Sequence, residues 1–215
     1  MAVMAKVKIC GLRREEDIMI VNRYQPDYIG FVFAESKRKV TKEEARKLKA
    51  GLDKSIKAAG VFVNAPVMDI VELCRENIID VVQLHGDEEE GYIRELKKNI
   101  SQPVIKAVRP RVKEDIQQGL AFSSDYLLLD TYFEGQFGGT GKPFDWSMIP
   151  QNAENFFLAG GLNSSNVKEA ILICHPFCVD ISSGVETGGF KDEGKVKAFI
   201  EAVRLAESGY FKTNF

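Results

Sequence analysis

Two short, glycine-bearing loops in the last third of the chain have the composition of a phosphate-binding site. The apolar runs 156–159 and 177–181 each stop at small residues, as buried strands that enter tight turns do. Small residues leave backbone N–H groups open to an anion, and eight-stranded α/β barrels bind phosphate in the loops after strands seven and eight. One such loop alone is more typical of an ordinary turn, and two in register favour phosphate binding. The residues expected at the phosphate are Gly160, Gly161, Ser183 and Gly184.

Cys10 and Asp130 stand at the ends of two further apolar runs and could transfer protons. Nearby positive charge or the dipoles of the phosphate loops would lower the pKa of the Cys10 thiol and make it a general base. Burial would raise the pKa of the Asp130 carboxyl and make it a general acid. The alternatives are a small buried thiol at position 10 and a capping carboxylate at position 130.

Arg38 and His85 also fall next to predicted strand ends. The charged run 35–39 that contains Arg38 is normally just solvated, yet a guanidinium group is well shaped to bind a carboxylate through two hydrogen bonds. His85 could contact a ligand or be an ordinary loop residue. The segment 131–143 is long and rich in glycine, which favours a mobile lid. Within it, the residues expected near the phosphate are Gly139, Thr140 and Gly141.

Eight apolar runs separated by helical patterns must position these residues. The predicted strands are Val7–Cys10, Tyr28–Phe33, Ala59–Val63, Val81–Leu84, Val104–Val108, Tyr126–Asp130, Phe156–Ala159 and Cys178–Ile181. Strands that alternate with helices pair in parallel, and eight repeats in 215 residues favour a single (βα)8 barrel, the TIM barrel fold, in the α/β class. An open doubly wound sheet is the alternative, but no Gly-x-Gly-x-x-Gly pattern follows the first strand.

Helix boundaries are also predicted. Capping boxes are expected at 41–44 and 87–90, and Asn163 or Ser164 is expected to cap the helix that ends at Cys174. Gly209 is expected to stop the last helix, over 193–207.

Composition narrows the function classes. The chain has 29 basic and 31 acidic residues, a net charge of −2, with no basic patch for nucleic acid and no membrane anchor. We therefore expect one cytoplasmic domain over residues 1–215 that takes a small phosphorylated molecule and exists as a monomer or homodimer. Four cysteines fit free thiols, and two histidines disfavour both a zinc site and a Ser-His-Asp hydrolase. No metal and no cofactor is expected.

Strand alternation makes a separate structural prediction. If Cys10 points into the barrel mouth, Lys8 lies on the same inward face, and barrel closure makes the first and eighth strands neighbours. A buried charge needs a partner, and Asp180 interrupts the apolar eighth strand. We expect Lys8 and Asp180 to form an ion pair across this seam.

Motifs along the whole chain closely resemble the phosphoribosylanthranilate isomerase family, (βα)8-barrel enzymes of tryptophan biosynthesis. The motifs are Val7-Lys-Ile-Cys-Gly-Leu12, Gly30-Phe-Val-Phe33, Gly60-Val-Phe-Val-Asn64, Val82-Gln-Leu-His-Gly86, Leu128-Leu-Asp130, Gly139-Thr-Gly-Lys-Pro-Phe-Asp-Trp146, Ala159-Gly-Gly-Leu-Asn163 and Asp180-Ile-Ser-Ser-Gly-Val-Glu186. The resemblance implies an Amadori rearrangement without cofactor. It places the general base on Cys10, the general acid on Asp130, the anthranilate carboxylate on Arg38 and the phosphate on the two glycine loops.

Two other function classes remain as alternatives. A related barrel enzyme such as indole-glycerol-phosphate synthase would need a lysine at a strand end, whereas Lys8 and Lys106 lie inside their strands. A non-catalytic phosphate-binding barrel would keep the phosphate loops but lose the acid or the base. Both Asp130 and Cys10 are present.

Overall fold

A computed structural model describes residues 5–131, 145–150 and 153–213. In this part of the chain eight parallel strands close into a barrel in sequence order, which confirms the predicted fold. The strands are β1 Lys6–Cys10, β2 Tyr28–Val32, β3 Lys57–Phe62, β4 Val81–Leu84, β5 Val104–Val108, β6 Tyr126–Leu129, β7 Phe156–Leu158 and β8 Cys178–Ile181. A short antiparallel hairpin, β9 Glu186–Thr187 and β10 Phe190–Lys191, follows the barrel.

Seven helices surround the strands in the described residues. They are α1 Glu15–Tyr24, α2 Lys42–Ala50, α3 Val67–Arg75, α4 Glu90–Asn99, α5 Lys113–Leu120, α6 Val167–Cys174 and α7 Glu193–Thr213, with 3₁₀ turns at Trp146–Met148 and Ser183–Val185. Their buried faces pack on the outer side of the strands. None of them is long and apolar enough to cross a membrane.

The helix-start predictions have mixed outcomes. The capping box at Thr41 is confirmed, since the Glu44 N–H donates to Thr41 Oγ1 and the Thr41 N–H donates to Glu44 Oε2. The capping box at 87–90 is wrong, because Glu89 occupies the N-cap position of α4. The carboxylate of Glu88 instead accepts from backbone N–H groups and pairs with Lys106. This buried pair fixes the turn before α4.

The remaining helix ends also differ in part. Asn163 Oδ1 accepts from the N–H groups of Ser165 and Asn166, but α6 begins only at Val167, so Asn163 orders the turn before the helix. The predicted stop at Gly209 is wrong, since α7 continues to Thr213. A glycine ends a helix by adopting a left-handed conformation, whereas the backbone at Gly209 stays helical.

The lower half of the barrel interior is apolar and aromatic. Phe157 meets Tyr28 and Tyr126 edge to face, with ring centroids 5.6 and 5.5 Å apart, and Phe177 stacks on Tyr126 at 4.9 Å. Lys6 lies over the Phe177 ring, 5.1 Å from its centroid. These rings fill the end of the barrel where the strands begin.

The ion pair predicted at the closing seam is confirmed. Lys8 and Asp180 are direct partners in the β1–β8 register, and Lys8 Nζ lies 2.8 Å from Asp180 Oδ2. The Lys8 side chain is fully buried and that of Asp180 is 7% exposed. The pair therefore separates the aromatic interior below from the polar mouth above.

Candidate active site

A cavity of about 540 Å³ opens where the strands end. Described residues predicted from sequence meet along its wall: Cys10, Arg38, His85, Asp130, Gly160, Gly161, Ser183 and Gly184. The predicted contacts Gly139, Thr140 and Gly141, like the proposed lid over 131–143 beyond Thr131, lie outside the described residues.

Asp130 follows β6 and meets His85, which follows β4. His85 Nε2 lies 3.3 Å from Asp130 Oδ2, and the Thr131 N–H donates to Asp130 Oδ1 at 2.8 Å. Burial works to raise the pKa of Asp130, but His85, the Thr131 N–H and Arg109 together hold it below its ordinary value. The expected rise is therefore wrong, because these donors stabilise the carboxylate more than burial destabilises it.

The thiol of Cys10 shows the opposite deviation. Burial raises the pKa of Cys10 above its ordinary value, and the positive charges of Lys8 and Lys191 offset only part of that rise. The expected lowering is thus also wrong. With these shifts the protein holds Cys10 as a thiol and Asp130 as a carboxylate at neutral pH.

Two glycines make room around Cys10 and Arg38. A Cβ on Gly30 would lie 2.6 Å from the Cys10 sulfur, and one on Gly11, at φ +86°, would lie 2.5 Å from Arg38 Cδ. Any larger residue at either position would displace a side chain of the site.

Arg38 is held by a carboxylate of this chain. Its Nε and Nη2 donate to Glu186 Oε1 and Oε2, both at 2.8 Å, and Lys191 Nζ donates to Glu186 Oε1 at 2.6 Å. Two positive groups thus share one negative partner. One positive charge is left unbalanced. Both Arg38 and Lys191 interact electrostatically with Cys10, so this charge lies beside Cys10. It favours an anionic ligand.

The two glycine loops touch each other at the rim. Gly160 and Gly161 have φ values of +80° and +67°, which favour glycine. A Cβ on Gly160 would lie 2.1 Å from Thr131 Oγ1, and one on Gly184 would lie 2.4 Å from the Leu162 carbonyl oxygen. Gly160 is therefore needed where the first loop approaches Thr131, and Gly184 where the second loop approaches the first.

Sequence reasoning missed three residues of this site. Gln83 lies two positions before His85 in β4, and strand alternation could have placed it on the same inward face. Glu186 stands in one of the quoted motifs without a role, and Lys191 follows it in the hairpin. Among the described residues, no group of three His, Cys, Asp or Glu side chains is arranged to hold a metal ion.

Comparisons with known proteins agree with this architecture. The model of the N-(5'-phosphoribosyl)anthranilate (PRA) isomerase family matches residues 7–202. The N-(5'-phosphoribosyl)anthranilate isomerase of Endomicrobium trichonymphae is 50% identical over 205 residues, which is 95% of this chain and all of that protein.

Solved structures give the same family. The phosphoribosyl anthranilate isomerase of Thermotoga maritima superposes with a TM-score of 0.85 at 38% identity, covering 94% of this chain and 99% of that one. A phosphoribosyl anthranilate isomerase in complex with reduced 1-(o-carboxyphenylamino)-1-deoxyribulose 5-phosphate superposes with a TM-score of 0.81 at 36% identity, covering 94% and 99%. This chain belongs to the N-(5'-phosphoribosyl)anthranilate isomerase family.

Proposed function

We propose that Asp130 is the general acid and Cys10 the general base of the Amadori rearrangement that isomerises N-(5'-phosphoribosyl)anthranilate. The observation that carries the proposal is their position in one cavity with the two glycine loops and Arg38. In this scheme residues 1–215 act as one catalytic domain. The rearrangement needs a proton donor, a proton acceptor and anchors for two anionic groups, and the cavity provides candidates for all four.

The proton transfers proceed in two steps. Asp130 protonates the furanose ring oxygen, the C1′–O bond breaks, and the ring opens to a protonated Schiff base with a free C4′ hydroxyl. Cys10 as thiolate then removes the C2′ proton, and the electron pair of that C–H bond neutralises the iminium to give the enolamine. Tautomerisation yields the aminoketose. No atoms are gained or lost, so a proton must pass from the Cys10 thiol back to Asp130 before the next cycle.

This scheme explains why the resting protonation states are the reverse of the reactive ones. A thiol at Cys10 and a carboxylate at Asp130 are the states that remain after both transfers. The surroundings of Cys10 and Asp130 favour these protonation states, because the pKa of Cys10 is raised and that of Asp130 is lowered. The reactive form with thiolate and carboxylic acid holds the same number of protons. The positive charges of Lys8 and Lys191 lower its energy by stabilising the thiolate.

Arg38 and the glycine loops bind the two ends of the substrate in this proposal. Arg38 takes the anthranilate carboxylate through its guanidinium group, with Glu186 holding the guanidinium in place. The backbone at Gly161 and Gly184 takes the phosphate, and an anion in a crystal should lie there. Arg38→Ala should raise KM more than it lowers kcat, because this binding is common to ground and transition states.

The decisive experiment is a fluorescence assay of substrate loss with Asp130→Asn and Cys10→Ala. Each variant should lose about 10²–10⁴-fold in kcat while keeping its fold, the range for general acid–base groups. Cys174→Ala, at a partly buried thiol on α6, is the matched control and should retain activity. Near-normal turnover in either site variant would remove that residue from the scheme.

A further inference from the structure

The strand β4 carries a buried amide that the reaction scheme above does not use. Gln83 is 1% exposed and lines the cavity, and its Nε2 lies 2.8 Å from His85 Nδ1. Its Oε1 is buried and has no hydrogen-bond partner among the described residues. A buried acceptor without a partner is costly in free energy, which raises the question of when this oxygen gains one.

The contacts define the proton positions in the resting arrangement. An amide nitrogen donates only, so His85 Nδ1 accepts from Gln83 and the single ring proton resides on Nε2. Nε2–H then points at Asp130 Oδ2, 3.3 Å away, which must accept as a carboxylate. In this arrangement the pair has no proton to give to a substrate.

One added proton changes which end of the amide fits. If His85 gains a proton on Nδ1, that nitrogen becomes a donor and can no longer face the amide nitrogen. Rotation of the amide by half a turn presents Oε1 to Nδ1–H, and the oxygen without a partner gains one. The proton on Nε2 can then move to Asp130 Oδ2, which leaves His85 neutral with its proton on Nδ1.

We propose that Gln83 is a positioning residue whose amide turns to accept from His85 Nδ1–H once the His85–Asp130 pair gains the proton destined for the substrate, and stays turned through turnover. This inference rests on the proposed acid role of Asp130. In the cycle, the Nε2–H bond breaks as the Asp130 O–H bond forms, and that O–H bond breaks as the ring oxygen is protonated. The proton returned from Cys10 restores the pair, while the Nδ1–H bond stays intact throughout.

Charged groups from several strands act on this pair. Arg109, after β5, donates to the His85 carbonyl oxygen and favours the Asp130 carboxylate. Asp180 of β8 interacts with both Asp130 and His85, and its own partner is Lys8 of β1. These surrounding charges are the same in all Gln83 variants, so a change in the pH profile comes from the group at position 83.

Two substitutions should shift the pH profile of kcat in opposite directions. Gln83→Glu offers only acceptor oxygens to Nδ1–H, so the pair should keep its proton to higher pH. The alkaline limb of the kcat profile should therefore move to higher pH by roughly one unit. Gln83→Met offers no acceptor, so the protonated His85–Asp130 pair is less stable. The alkaline limb should therefore move to lower pH by roughly one unit. Above both limbs, kcat of Gln83→Met should therefore be about tenfold lower than that of the wild type at the same pH. Gln118→Glu, on the exposed face of α5, is the control for added negative charge and should leave the limb unmoved.

Nitrogen-15 NMR gives a second readout because the chain has only two histidines. His175→Gln assigns the His85 resonances. At high pH His85 should be protonated on Nε2 alone, and Nδ1 should gain its proton as the pair loads, at higher pH in Gln83→Glu than in the wild type. The inference would be overturned if the alkaline limbs of Gln83→Glu and Gln83→Met moved in the same direction, or if neither moved. An Nδ1–H already present in the alkaline form of the wild type would overturn it as well. Thermal melts show which variants fold. If Gln83→Glu does not fold, Gln83→Met, which places no polar group at position 83, tests the inference together with the NMR titration of the wild type. An active Asp130→Asn would instead refute the acid role itself.

Discussion

The two ends of the barrel interior differ in what they bury. Where the strands begin, the rings of Tyr28, Tyr126, Phe157 and Phe177 pack against one another. Where the strands end, the cavity wall holds ionisable groups and buried polar atoms that lack partners among the described residues, at Gln83 and Asp180. Polar groups held this way cost stability and are found where function needs them. We infer that the aromatic packing where the strands begin offsets the cost of the buried polar groups where the strands end.

The strongest test of this division is Phe157→Ala. Phe157 is fully buried among three aromatic rings. Its truncation should lower the free energy of unfolding by about 4 kcal/mol, through lost transfer energy and a cavity that the rigid barrel cannot fill. Urea denaturation measures the loss. Below the melting temperature kcat/KM should stay near the wild-type value, because no part of the ring reaches the cavity wall.

Phe190→Ala is the matched control. Phe190 is 37% exposed and stacks on the guanidinium groups of Arg13 and Arg14, at 4.2 and 4.1 Å. Its removal should cost about 1 kcal/mol or less. Equal losses at the two positions, or a large fall in kcat for Phe157→Ala, would contradict the separation of stability from function.

The next largest effect is expected where the two halves meet, at the Lys8–Asp180 pair. Lys8→Met removes the cation and leaves the Asp180 carboxylate buried, which should cost about 3 kcal/mol at neutral pH. Lys8 also stabilises the Cys10 thiolate, so kcat should fall as well. Urea denaturation and the fluorescence assay measure the two losses on the same sample.

The pH dependence of this loss has a defined sign. Burial raises the pKa of Asp180 and Lys8 opposes that rise, so without Lys8 the pKa should be higher still. An acid whose folded pKa exceeds its unfolded pKa binds more protons in the native state, so stability falls as pH rises between the two values. Lys8→Met should therefore be more stable at pH 5 than at pH 8, and adding Asp180→Asn should remove most of that difference. A loss that is independent of pH would show that Asp180 is not the group left without a partner.

The sequence predicted those features that depend on residues close together or on strand alternation. Apolar runs located all eight strands within about two residues, the Thr41 box needed only a spacing of three, and alternation placed Lys8 opposite Asp180. Cys10 and Asp130 were expected at strand ends for the same reason. Each of these inferences requires only local pattern and the closure of the barrel.

The features it missed depend on partners that the fold brings from far along the chain. The pKa direction of Asp130 follows from His85 and Arg109, which lie on other strands. Arg38 meets Glu186 across 148 positions of sequence. Pairing of Glu88 with Lys106 displaced the expected cap of α4. No local pattern encodes which of many carboxylates a given cation will meet.

A smaller effect, on binding alone, is expected at the rim. A Cβ in Gly184→Ala would lie 2.4 Å from the Leu162 carbonyl oxygen and so push the two phosphate loops apart. KM should rise about tenfold, or about 1.4 kcal/mol of binding, and competitive inhibition by inorganic phosphate should weaken by the same factor. Gly91→Ala on α4, where a Cβ meets nothing within 4 Å, is the control and should change neither constant. An unchanged phosphate constant in Gly184→Ala would place the phosphate elsewhere.

The smallest effect should come from Thr41→Ala, a residue near the mouth with no part in the chemistry. The Thr41 hydroxyl accepts from the Glu44 N–H at 3.2 Å and caps α2, just after the segment that carries Arg38. That segment is held separately, by the Val40 N–H donating to the Val32 carbonyl oxygen at 2.9 Å and by the bidentate bond of Arg38 to Glu186. Loss of the cap should therefore lower the free energy of unfolding by about 1 kcal/mol and leave KM unchanged. Thr41→Ser keeps the accepting oxygen and should retain most of that stability. If KM rose together with the loss of stability, the position of Arg38 would depend on helix α2, and the mouth would not be separable from its scaffold at this point.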